Sequence, residues 1–578
     1  MNSESIEEKN GPVWLSLAKR RWPIILLLLM SGTLNFYHLS WGVPSISGSW
    51  AYDTLEAKGP LAMAYSISHG EFWFSRYPAG HHLMLLAVNG PYLLYLKLVG
   101  GLSELSLQFP YGFDNPERRL STLLLINRAV SALTGMGIVL LIYLLGRRLF
   151  GELSGLIAAA AIALNVIFIY HSHTVNTDVP YVFWMLLMLH FFVRALDSGE
   201  LRNFVLLSIF AAIALCTKES VYGVLTGTAL SLLVAAFRGK SLRSLGTMGI
   251  IRTAFDRRHL IGLGIFILVV AIISCFASGV GYWFAKYDWV VDQMQVSRTV
   301  YPHSSSIDVI KISGILSDIS EAFGYPLAIL LFAGAIWTFL RYWRKSWPFL
   351  APIICYYLVF QRNYWDAYRF SMPQMVFLAL LGAPLIACLI RGGSRSGDGD
   401  NSAAIKLLQR APLRAILRVA VAGVFGFTAL HAATLPWLLE NDSKYAAEAW
   451  LRQNTKPGET IEILFEMSCP RVPDWLTAFY PEYMEDRTPE TAAKLVAARR
   501  SDYIVVPGGR LKPDEYPQDF GGIRAPIARR LMEKIVEWLE SGSSGYERAA
   551  IFKTKPLLDI PVSHDTINPL IVIYRKKQ

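Results

Sequence analysis

Long apolar runs separated by short polar turns constrain this chain more than any other feature of its sequence. Several of these runs approach the roughly 20 apolar residues that a helix needs to cross a bilayer. Of the 578 residues, 53% are hydrophobic and only 17% are charged, whereas soluble domains average about 25% charged residues. We therefore predict a mainly α-helical polytopic membrane protein with about eleven transmembrane helices. The spans are expected at about residues 22–41, 123–145, 154–172, 179–196, 203–217, 221–237, 260–284, 325–341, 348–361, 373–390 and 414–436.

The basic residues predict how these helices are oriented. The net charge of +11 is carried mainly by short turns between the apolar runs, a composition typical of cytoplasmic loops. One orientation places all of these turns in the cytoplasm, together with the N-terminal residues 1–21. No nucleic-acid-binding motif accompanies the basic residues, so we expect the bilayer, and no nucleic acid, as a partner. The basic segments are residues 19–21, 146–148, 237–259, 341–345 and 391–414.

The sequence divides into a transmembrane region, residues 22–440, and a C-terminal region, residues 441–578. The first outer loop of the transmembrane region, residues 42–119, contains a further apolar run at 82–99. Asn89-Gly90-Pro91 interrupts this run, and a proline at that place would break a spanning helix. We therefore expect one or two helices that lie at the membrane interface or dip into it and return.

The C-terminal region has a different composition and is predicted to be a small α/β domain. Helical patterns alternate there with short β-type runs, which is the arrangement of such domains. By the parity of the spans, this domain lies on the outer face, which is the periplasm, the cell exterior or an organelle lumen. Helices are expected at residues 444–452, 489–500 and 528–540, and strands at 460–465, 503–506 and 570–574.

On this topology a set of polar side chains collects at the outer face. A bilayer tolerates carboxylates at span ends mainly when they have a function or a neutralising partner. Asp53 lies in a loop where nothing local requires a carboxylate, and Asp178 lies in a short turn between two spans. The candidate site residues are the acids Asp53, Glu56, Asp178 and Glu219, the bases Arg76, Lys218 and Arg369, and the side chains of Tyr77, His81, His82 and Tyr368.

Several of these residues also have a simpler explanation. Lys218 and Arg369 could extend from helix ends towards water while their alkyl stems stay in the bilayer. Asp178 could cap the helix that follows it, since a proline two residues later suits a helix start. The histidines could be interfacial polar residues, because no ligand motif of fixed spacing accompanies them.

Several motifs between residues 20 and 240 follow one another in the order found in a known family. The acidic first outer loop is followed by a basic-proline motif, a helix pair that ends in a basic turn, an Asp-containing outer turn and a Lys-Glu turn. In these features the sequence resembles the GT-C superfamily of integral-membrane glycosyltransferases. The closest branch contains the dolichyl-phosphate-mannose protein mannosyltransferases and the bacterial aminoarabinose transferases of lipid A. The motifs are Asp53, Arg76-Tyr77-Pro78, Asn127-Arg128 with Gly146-Arg147-Arg148, Asn176-Thr177-Asp178-Val179-Pro180 and Thr217-Lys218-Glu219-Ser220.

The sequence departs from the family pattern at two places. Thr54 follows Asp53 where the family often has adjacent Asp and Glu, and the acid here is Glu56. Tyr77-Pro78-Ala79 stands where Lys-Pro-Pro is usual, with Arg76 as the base.

The resemblance implies inverting transfer of a sugar from a polyprenyl-phosphate-linked donor to a hydroxyl of a glycan, lipid or protein acceptor. A hydroxyl nucleophile needs a carboxylate base within hydrogen-bond reach, and Asp53 is the candidate. Cations must face the phosphate that leaves; Lys218, Arg369 and Arg76 are the candidates for this role. Asp178 would then orient the site or hold a substrate. Substrate contacts are expected from Glu56, Tyr77, His81, His82, Glu219 and Tyr368.

Two further questions stay open at the level of sequence. No cofactor is indicated, but a divalent cation could be bound by Asp53 and Asp178. The main alternative function is a transporter or flippase of a lipid-linked or anionic solute. Transporters place charges near the bilayer midplane and often contain paired repeats. Here the charges collect at one face, and no second half of the sequence repeats the first.

Overall fold

The structure is a computed structural model that describes most of the chain. The first outer loop is described only in part: Asp53, Glu56 and Arg76 lie outside the described residues, so the predictions made for these three side chains are not addressed by it. The described residues are 13–43, 58–71, 77–235, 257–278, 306–363, 368–392, 411–464, 469–480, 489–507, 534–542, 544–562 and 567–577.

The transmembrane region is built from helices, and each of the eleven predicted apolar runs contains one. Capping follows from the sequence: Asn115 accepts a hydrogen bond from the Arg118 N–H and Pro116 follows it at the start of a 35-residue helix, as expected for Asn before Pro. The helices are α1 Val13–Phe36, α2 Lys58–His69, α3 Ala79–Leu98, α4 Pro116–Phe150, α5 Glu152–Ala163, α6 Val166–Ser172, α7 Asp178–Ser198, α8 Leu201–Thr217, α9 Tyr222–Ala235, α10 Arg257–Ser278, α11 Ser306–Phe323, α12 Tyr325–Arg341, α13 Trp343–Cys355, α14 Met372–Arg391 and α15 Ala411–Glu440.

The polytopic helical architecture agrees with the sequence prediction, whereas the number of spans stays a prediction. Within the described part of the chain, five helical stretches are long and apolar enough to cross a membrane, or seven if each of two bent pairs counts as one span. Three shorter apolar helices, at residues 21–36, 201–217 and 219–235, also coincide with predicted spans. The five stretches are residues 116–150, 178–198, 261–278, 368–391 and 411–454.

Two bends were not foreseen from the apolar runs. The predicted span 154–172 is a pair of helices, α5 and α6, with an angle of 62° between them. Asn165 starts the second helix, since its side-chain oxygen accepts the Ile167 and Phe168 N–H groups at 3.1 and 3.2 Å. A bend of 117° separates α11 from α12 at Gly324, whose φ of +73° is a conformation that glycine adopts without strain.

Helix α3 is the single-helix alternative predicted for residues 82–99, and Asn89-Gly90-Pro91 does not break it. It is continuous from Ala79 to Leu98 with Pro91 inside it. An internal proline removes one backbone hydrogen bond and costs about 3 kcal/mol, and packing against α2, α4 and α8 offsets that cost. One side of the helix buries His81, His82 and Asn89 among other residues, so its inner surface is polar as well as apolar.

Close helix contacts in the membrane region occur at glycines. A Cβ added to Gly334 would lie 2.2 Å from the carbonyl oxygen of Gly382, and one added to Gly146 would lie 2.9 Å from the Cα of Gly155. Helices in membranes associate by such close approach of small residues. These contacts join α12 to α14 and α4 to α5, and the main apolar core is formed around them.

The C-terminal region contains the predicted small sheet together with helices. Strands β1, β3 and β5 coincide with the predicted runs, whereas β2 and β4 were missed because one has three residues and the other is largely exposed with a register shift. β1 is parallel to β2 and β3, and β5 is antiparallel to β3 and β4, in the order β2-β1-β3-β5-β4. The elements are α16 Ser443–Asn454, β1 Thr460–Ile463, β2 Thr477–Phe479, α17 Pro489–Arg499, β3 Tyr503–Pro507, β4 Tyr546–Phe552 and β5 Ile571–Lys576.

Candidate active site

A buried ion pair lies where α7 begins and α8 ends. The Lys218 ammonium is in contact with Oδ1 of Asp178, and the two side chains are only 3% and 1% exposed. The two helices are joined by a short turn and pack against each other, so the first residue of α7 meets the residue after α8. The Lys218 ammonium therefore does not reach water. The simpler explanation, that this side chain extends from a helix end into water, is wrong.

The capping explanation of Asp178 is also wrong. The side chain of Asn176 accepts the backbone N–H of Asp178 at 2.8 Å and thereby caps the first turn of α7. Asn176 is held in turn by its amide, which donates to Nδ1 of His171 at 2.9 Å and to the Thr174 hydroxyl. Because Asn176 serves the helix end, the Asp178 carboxylate is left to face Lys218.

Three aromatic rings surround the Lys218 ammonium. Its Nζ lies 5.0 Å from the ring centroid of Phe370, 5.4 Å from that of Tyr181 and 5.8 Å from that of Tyr77. All three distances are within the range of cation–π attraction. The rings come from the turn before α14, from α7 and from the start of α3, so Lys218 lies at a junction of three separate segments.

Asp178 has more positive charge around it than Lys218 alone. Arg369 lies close enough to interact electrostatically with its carboxylate. The second carboxylate oxygen, Oδ2, is buried and accepts no hydrogen bond from any residue that the structure describes. A buried polar atom without a partner is uncommon and calls for an explanation. The site therefore combines two positively charged side chains with a carboxylate of which one oxygen has no hydrogen-bond partner among the described residues.

The start of α3 is attached directly to this pair. A Cβ on Gly80 would lie 2.7 Å from the carbonyl oxygen of Cys216, so α3 approaches the end of α8 as closely as two backbones allow. This contact places Tyr77 over Lys218. His81 and His82 follow, each 1% exposed; burial and then the charge of His82 lower the pKa of His81 to about 3, and burial lowers that of His82 to about 4.

The other predicted site residues are distributed around this centre. Glu219 follows Lys218 in a short 3₁₀ turn and is half-buried. Tyr368 precedes Arg369 and lines a neighbouring cavity. No cluster of three or more His, Cys, Asp or Glu side chains suited to a metal ion occurs among the described residues. The suggested cation site of Asp53 and Asp178 is not tested by this, since Asp53 is outside them.

Sequence reasoning selected four residues that the structure brings together: Tyr77, Asp178, Lys218 and Arg369. It missed Tyr181 and Phe370 as parts of the site. The signal for Tyr181 was available, because it lies three residues after Asp178 and therefore on the same helix face. Phe370 follows Arg369 in the sequence, but only the tertiary contact shows that its ring faces Lys218.

A second buried polar cluster fixes the chain where it leaves α1. Nη1 of Arg128 donates to the carbonyl oxygens of Leu39 and Trp41 at 2.8 and 2.6 Å. His173, in the same turn as Asn176, lies with Nε2 2.8 Å from the Tyr37 carbonyl oxygen. The segment that leads into the first outer loop is thus held by α4 and by the turn that carries Asp178.

The C-terminal domain holds the same segment from the other side. The Trp41 Nε1–H donates to Oδ2 of Asp442 at 3.1 Å, and the Lys444 ammonium lies 4.7 Å from the Trp41 ring centroid. The Tyr445 hydroxyl accepts the backbone N–H of Gly42 at 3.0 Å. We call Trp41, Arg128, Asp442, Lys444 and Tyr445 the junction cluster. Through it the C-terminal domain and the membrane region are joined at the base of the loop that contains Asp53.

Comparison with known proteins agrees with this architecture. Residues 124–255 match the model of the family described as dolichyl-phosphate-mannose-protein mannosyltransferase; this segment includes Asp178 and Lys218. No curated protein matches the sequence.

Among solved structures, the oligosaccharyltransferase AglB from Archaeoglobus fulgidus, in complex with an inhibitory peptide and a dolichol-phosphate, is similar. It shares 13% identity over 93% of this chain and 80% of its own, with a TM-score of 0.50. ArnT from Cupriavidus metallidurans bound to undecaprenyl phosphate shares 13% identity over 96% of this chain and 98% of its own, with a TM-score of 0.44.

The resemblance to the GT-C superfamily of integral-membrane glycosyltransferases is therefore confirmed. The segment that carries the buried ion pair, residues 124–255, is the part that is similar to the dolichyl-phosphate-mannose-protein mannosyltransferases.

Proposed function

We propose that this protein transfers a sugar from a polyprenyl-phosphate-linked donor to an acceptor hydroxyl, with inversion at the anomeric carbon, on the outer face of the membrane. The observation that carries the proposal is the buried Asp178–Lys218 pair, with Arg369 beside it. The AglB complex contains a dolichol-phosphate, which is the class of lipid carrier proposed here.

The bases suit a phosphate that gains charge as it leaves. The Lys218 ammonium has three N–H groups, and Asp178 is its single hydrogen-bond acceptor among the residues described. The remaining N–H groups are available to phosphate oxygens, and Arg369 offers paired donors of the geometry that phosphate prefers. Aromatic rings around Lys218 keep water away, which strengthens these electrostatic interactions.

The proposed reaction is a single displacement. Asp53 takes the proton of the acceptor hydroxyl, the hydroxyl oxygen forms a bond to the anomeric carbon, and the bond from that carbon to the phosphate oxygen breaks. Polyprenyl phosphate leaves with the electron pair and is stabilised by Lys218 and Arg369, with Arg76 as a third candidate. Attack opposite to the leaving group inverts the configuration. Asp178 holds Lys218 in place, and Glu56, Glu219, Tyr77, His81, His82 and Tyr368 are the proposed substrate contacts.

The decisive test measures polyprenyl phosphate released from labelled lipid-linked sugars by the protein in nanodiscs, with a membrane extract of the source cells as acceptor. Asp53→Asn is expected to abolish release, because the base is lost. Asp114→Asn is the matched control: this acid also lies in the first outer loop, but it pairs with Arg119 at 3.1 Å, and release should persist. Wild-type turnover by Asp53→Asn would remove Asp53 as the base.

Two further arms separate the alternatives. Arg369→Ala should raise the donor concentration needed for half-maximal release, and an unchanged donor dependence would remove Arg369 from the phosphate site. If a divalent cation takes part, with Asp53 and Asp178 as ligands, EDTA should stop release. A transporter or flippase would move labelled lipid between leaflets without releasing polyprenyl phosphate, which is the result that would replace the proposed activity.

A further inference from the structure

A cavity of about 240 Å³ lies beside the ion pair, where α6, the α11–α12 bend, α15 and the C-terminal domain meet. It adjoins the candidate active site in two places, because Tyr170 precedes His171 and Tyr368 precedes Arg369 in the sequence. Aliphatic residues form much of its wall. The residues that carry the argument are Tyr170, Glu321, Tyr325, Tyr368, Phe427 and His431.

Glu321 gives this cavity its charge. The side chain is half-buried, and no described residue forms an ion pair or a hydrogen bond with its carboxylate; burial is the one influence on it. Neither lysine nor arginine occurs among the described residues that line the cavity. A carboxylate in apolar surroundings is costly unless a positive charge or hydrogen-bond donors face it.

His431, in α15, adds an acceptor to the lining of the cavity. Its ring lies close to the backbone of Pro561 in the C-terminal domain. Its Nδ1 is buried and has no hydrogen-bond partner in the described part of the chain, so in the tautomer that carries the proton on Nε2 this nitrogen accepts from an N–H group. The position of a Cβ on Gly324, at the α11–α12 bend, is 3.7 Å from this nitrogen.

With its aromatic rings, the cavity has the same kinds of side chain as the surroundings of the Lys218 ammonium. Lys218 is held by one carboxylate and three aromatic rings, at 5.0 to 5.8 Å. The cavity offers one carboxylate and four aromatic side chains, but its described residues supply no cation. Aromatic cages with a nearby carboxylate are a common way to recognise ammonium ligands. A neutral hydroxyl would gain one ordinary hydrogen bond from Glu321 and nothing from its charge.

We propose that this cavity binds the ammonium group of an amine-bearing acceptor, with Glu321 as its counter-ion and Nδ1 of His431 as a hydrogen-bond acceptor. The binding of an amine does not depend on the proposed glycosyl transfer. The assignment of this amine to the acceptor rests on that proposed function. The hydroxyl that reacts would then lie towards Arg369, on the side of Tyr368.

The test is thermal unfolding of the purified full chain during titration with propylammonium chloride. Propan-1-ol and sodium propionate are the neutral and anionic matches, and sodium chloride controls ionic strength. A ligand that binds the folded state raises its unfolding temperature. We expect a saturable rise with propylammonium and none with the two matches. Absence of that rise, or an equal rise with propan-1-ol, would overturn the proposal.

Substitutions of cavity residues test whether propylammonium binds in the cavity. Glu321→Gln should weaken propylammonium binding by about tenfold or more, because a charge pair is worth more than a neutral hydrogen bond. Phe427→Leu should weaken it by a few-fold and serves if Glu321→Gln does not fold. Glu200→Gln, in the exposed turn between α7 and α8, should bind like wild type. Equal binding by wild type and both cavity variants would place the amine elsewhere.

A final arm identifies the source of the amine and separates this proposal from the transfer reaction. Glucosamine is compared with glucose, and lysinamide with norleucinamide, in the same unfolding measurement. In the release assay, propylammonium should compete with the acceptor and not with the donor. If no lipid-linked sugar is turned over but propylammonium still binds through Glu321, the transfer function is wrong and the amine site stands. Competition with the donor would contradict the acceptor assignment.

Discussion

Two buried aspartates, Asp178 and Asp442, each lie beside a lysine, and the rest of their surroundings differs. Oδ1 of Asp442 accepts the backbone N–H of Lys444 at 2.9 Å. Its Oδ2 accepts from Trp41 Nε1 and from the Asn568 backbone N–H, both at 3.1 Å. Asp178 has Lys218 on one oxygen, whereas no described residue donates to the other.

This difference distinguishes the carboxylate of Asp442, which stabilises the fold, from that of Asp178, which is suited to a ligand-binding site. Asp442 has its acceptors used by groups that belong to the fold, so it joins two domains and offers nothing to a substrate. Asp178 holds a lysine whose donors are largely unused among the described residues, inside a ring of aromatic side chains. Burial and pairing with lysine are common to both, so the state of the second oxygen is the informative property.

The largest expected effect comes from breaking the Asp178–Lys218 pair. Lys218→Met leaves a buried carboxylate without its counter-ion, which should cost about 3–5 kcal/mol of stability. The double variant Asp178→Asn/Lys218→Met removes both charges and should recover most of the unfolding temperature. Its release of polyprenyl phosphate should stay at least about 100-fold below wild type. Recovery of release together with stability would show that this pair is structural, like Asp442.

The next effect tests the junction cluster. Asp442→Asn weakens the hydrogen bonds to Trp41 and Asn568 and leaves the Lys444 ammonium without its carboxylate, so it should lower stability by about 3 kcal/mol. Release per folded molecule should stay within about twofold of wild type. The measurements are the unfolding temperature and release normalised to the folded fraction. A large loss of release at unchanged stability would erase the distinction between the two aspartates.

The smallest effect concerns His81, which is buried without a charge partner among the described residues. Its pKa in the folded protein is about 3, below the value of about 6.5 expected when unfolded. Between these values the unfolded state binds more protons, so stability falls as the pH drops. From pH 7 to pH 5 the loss from His81 should be about 2 kcal/mol. His81→Gln should flatten this part of the curve of unfolding temperature against pH, and an unchanged curve would contradict the assignment.

Much of this organisation could be predicted because hydrophobicity determines where membrane helices form. The apolar runs located the helices, and the charged turns located Asp178 and Lys218 at helix ends that meet. The bend at Asn165 was missed because a short polar interruption does not stop an apolar run. The bend at Gly324 was missed because the helix before it, α11, was not among the predicted spans, which resume at residue 325. The continuity of α3 through Pro91 was left open in the prediction of one or two helices, because the packing that outweighs the local preference of proline cannot be deduced from the sequence.

The partners of each side chain could not be predicted in the same way. Spacing in the sequence places Tyr181 on the face of Asp178, but the approach of Tyr77 depends on the contact of Gly80 with Cys216. Trp41 and Asp442 are 401 residues apart, and nothing local in either segment indicates the other. Such contacts are decided by tertiary packing.

The junction cluster has a consequence for how a nascent chain matures. Trp41 is translated early, whereas Asp442 and Asn568, which complete its surroundings, are among the later residues to be synthesised. Chains grow from the N-terminus and fold as their segments appear. The base of the loop with Asp53 therefore gains its final anchor after the membrane helices have been inserted. A ribosome that stops before Asp442 yields a polypeptide whose loop base lacks that anchor.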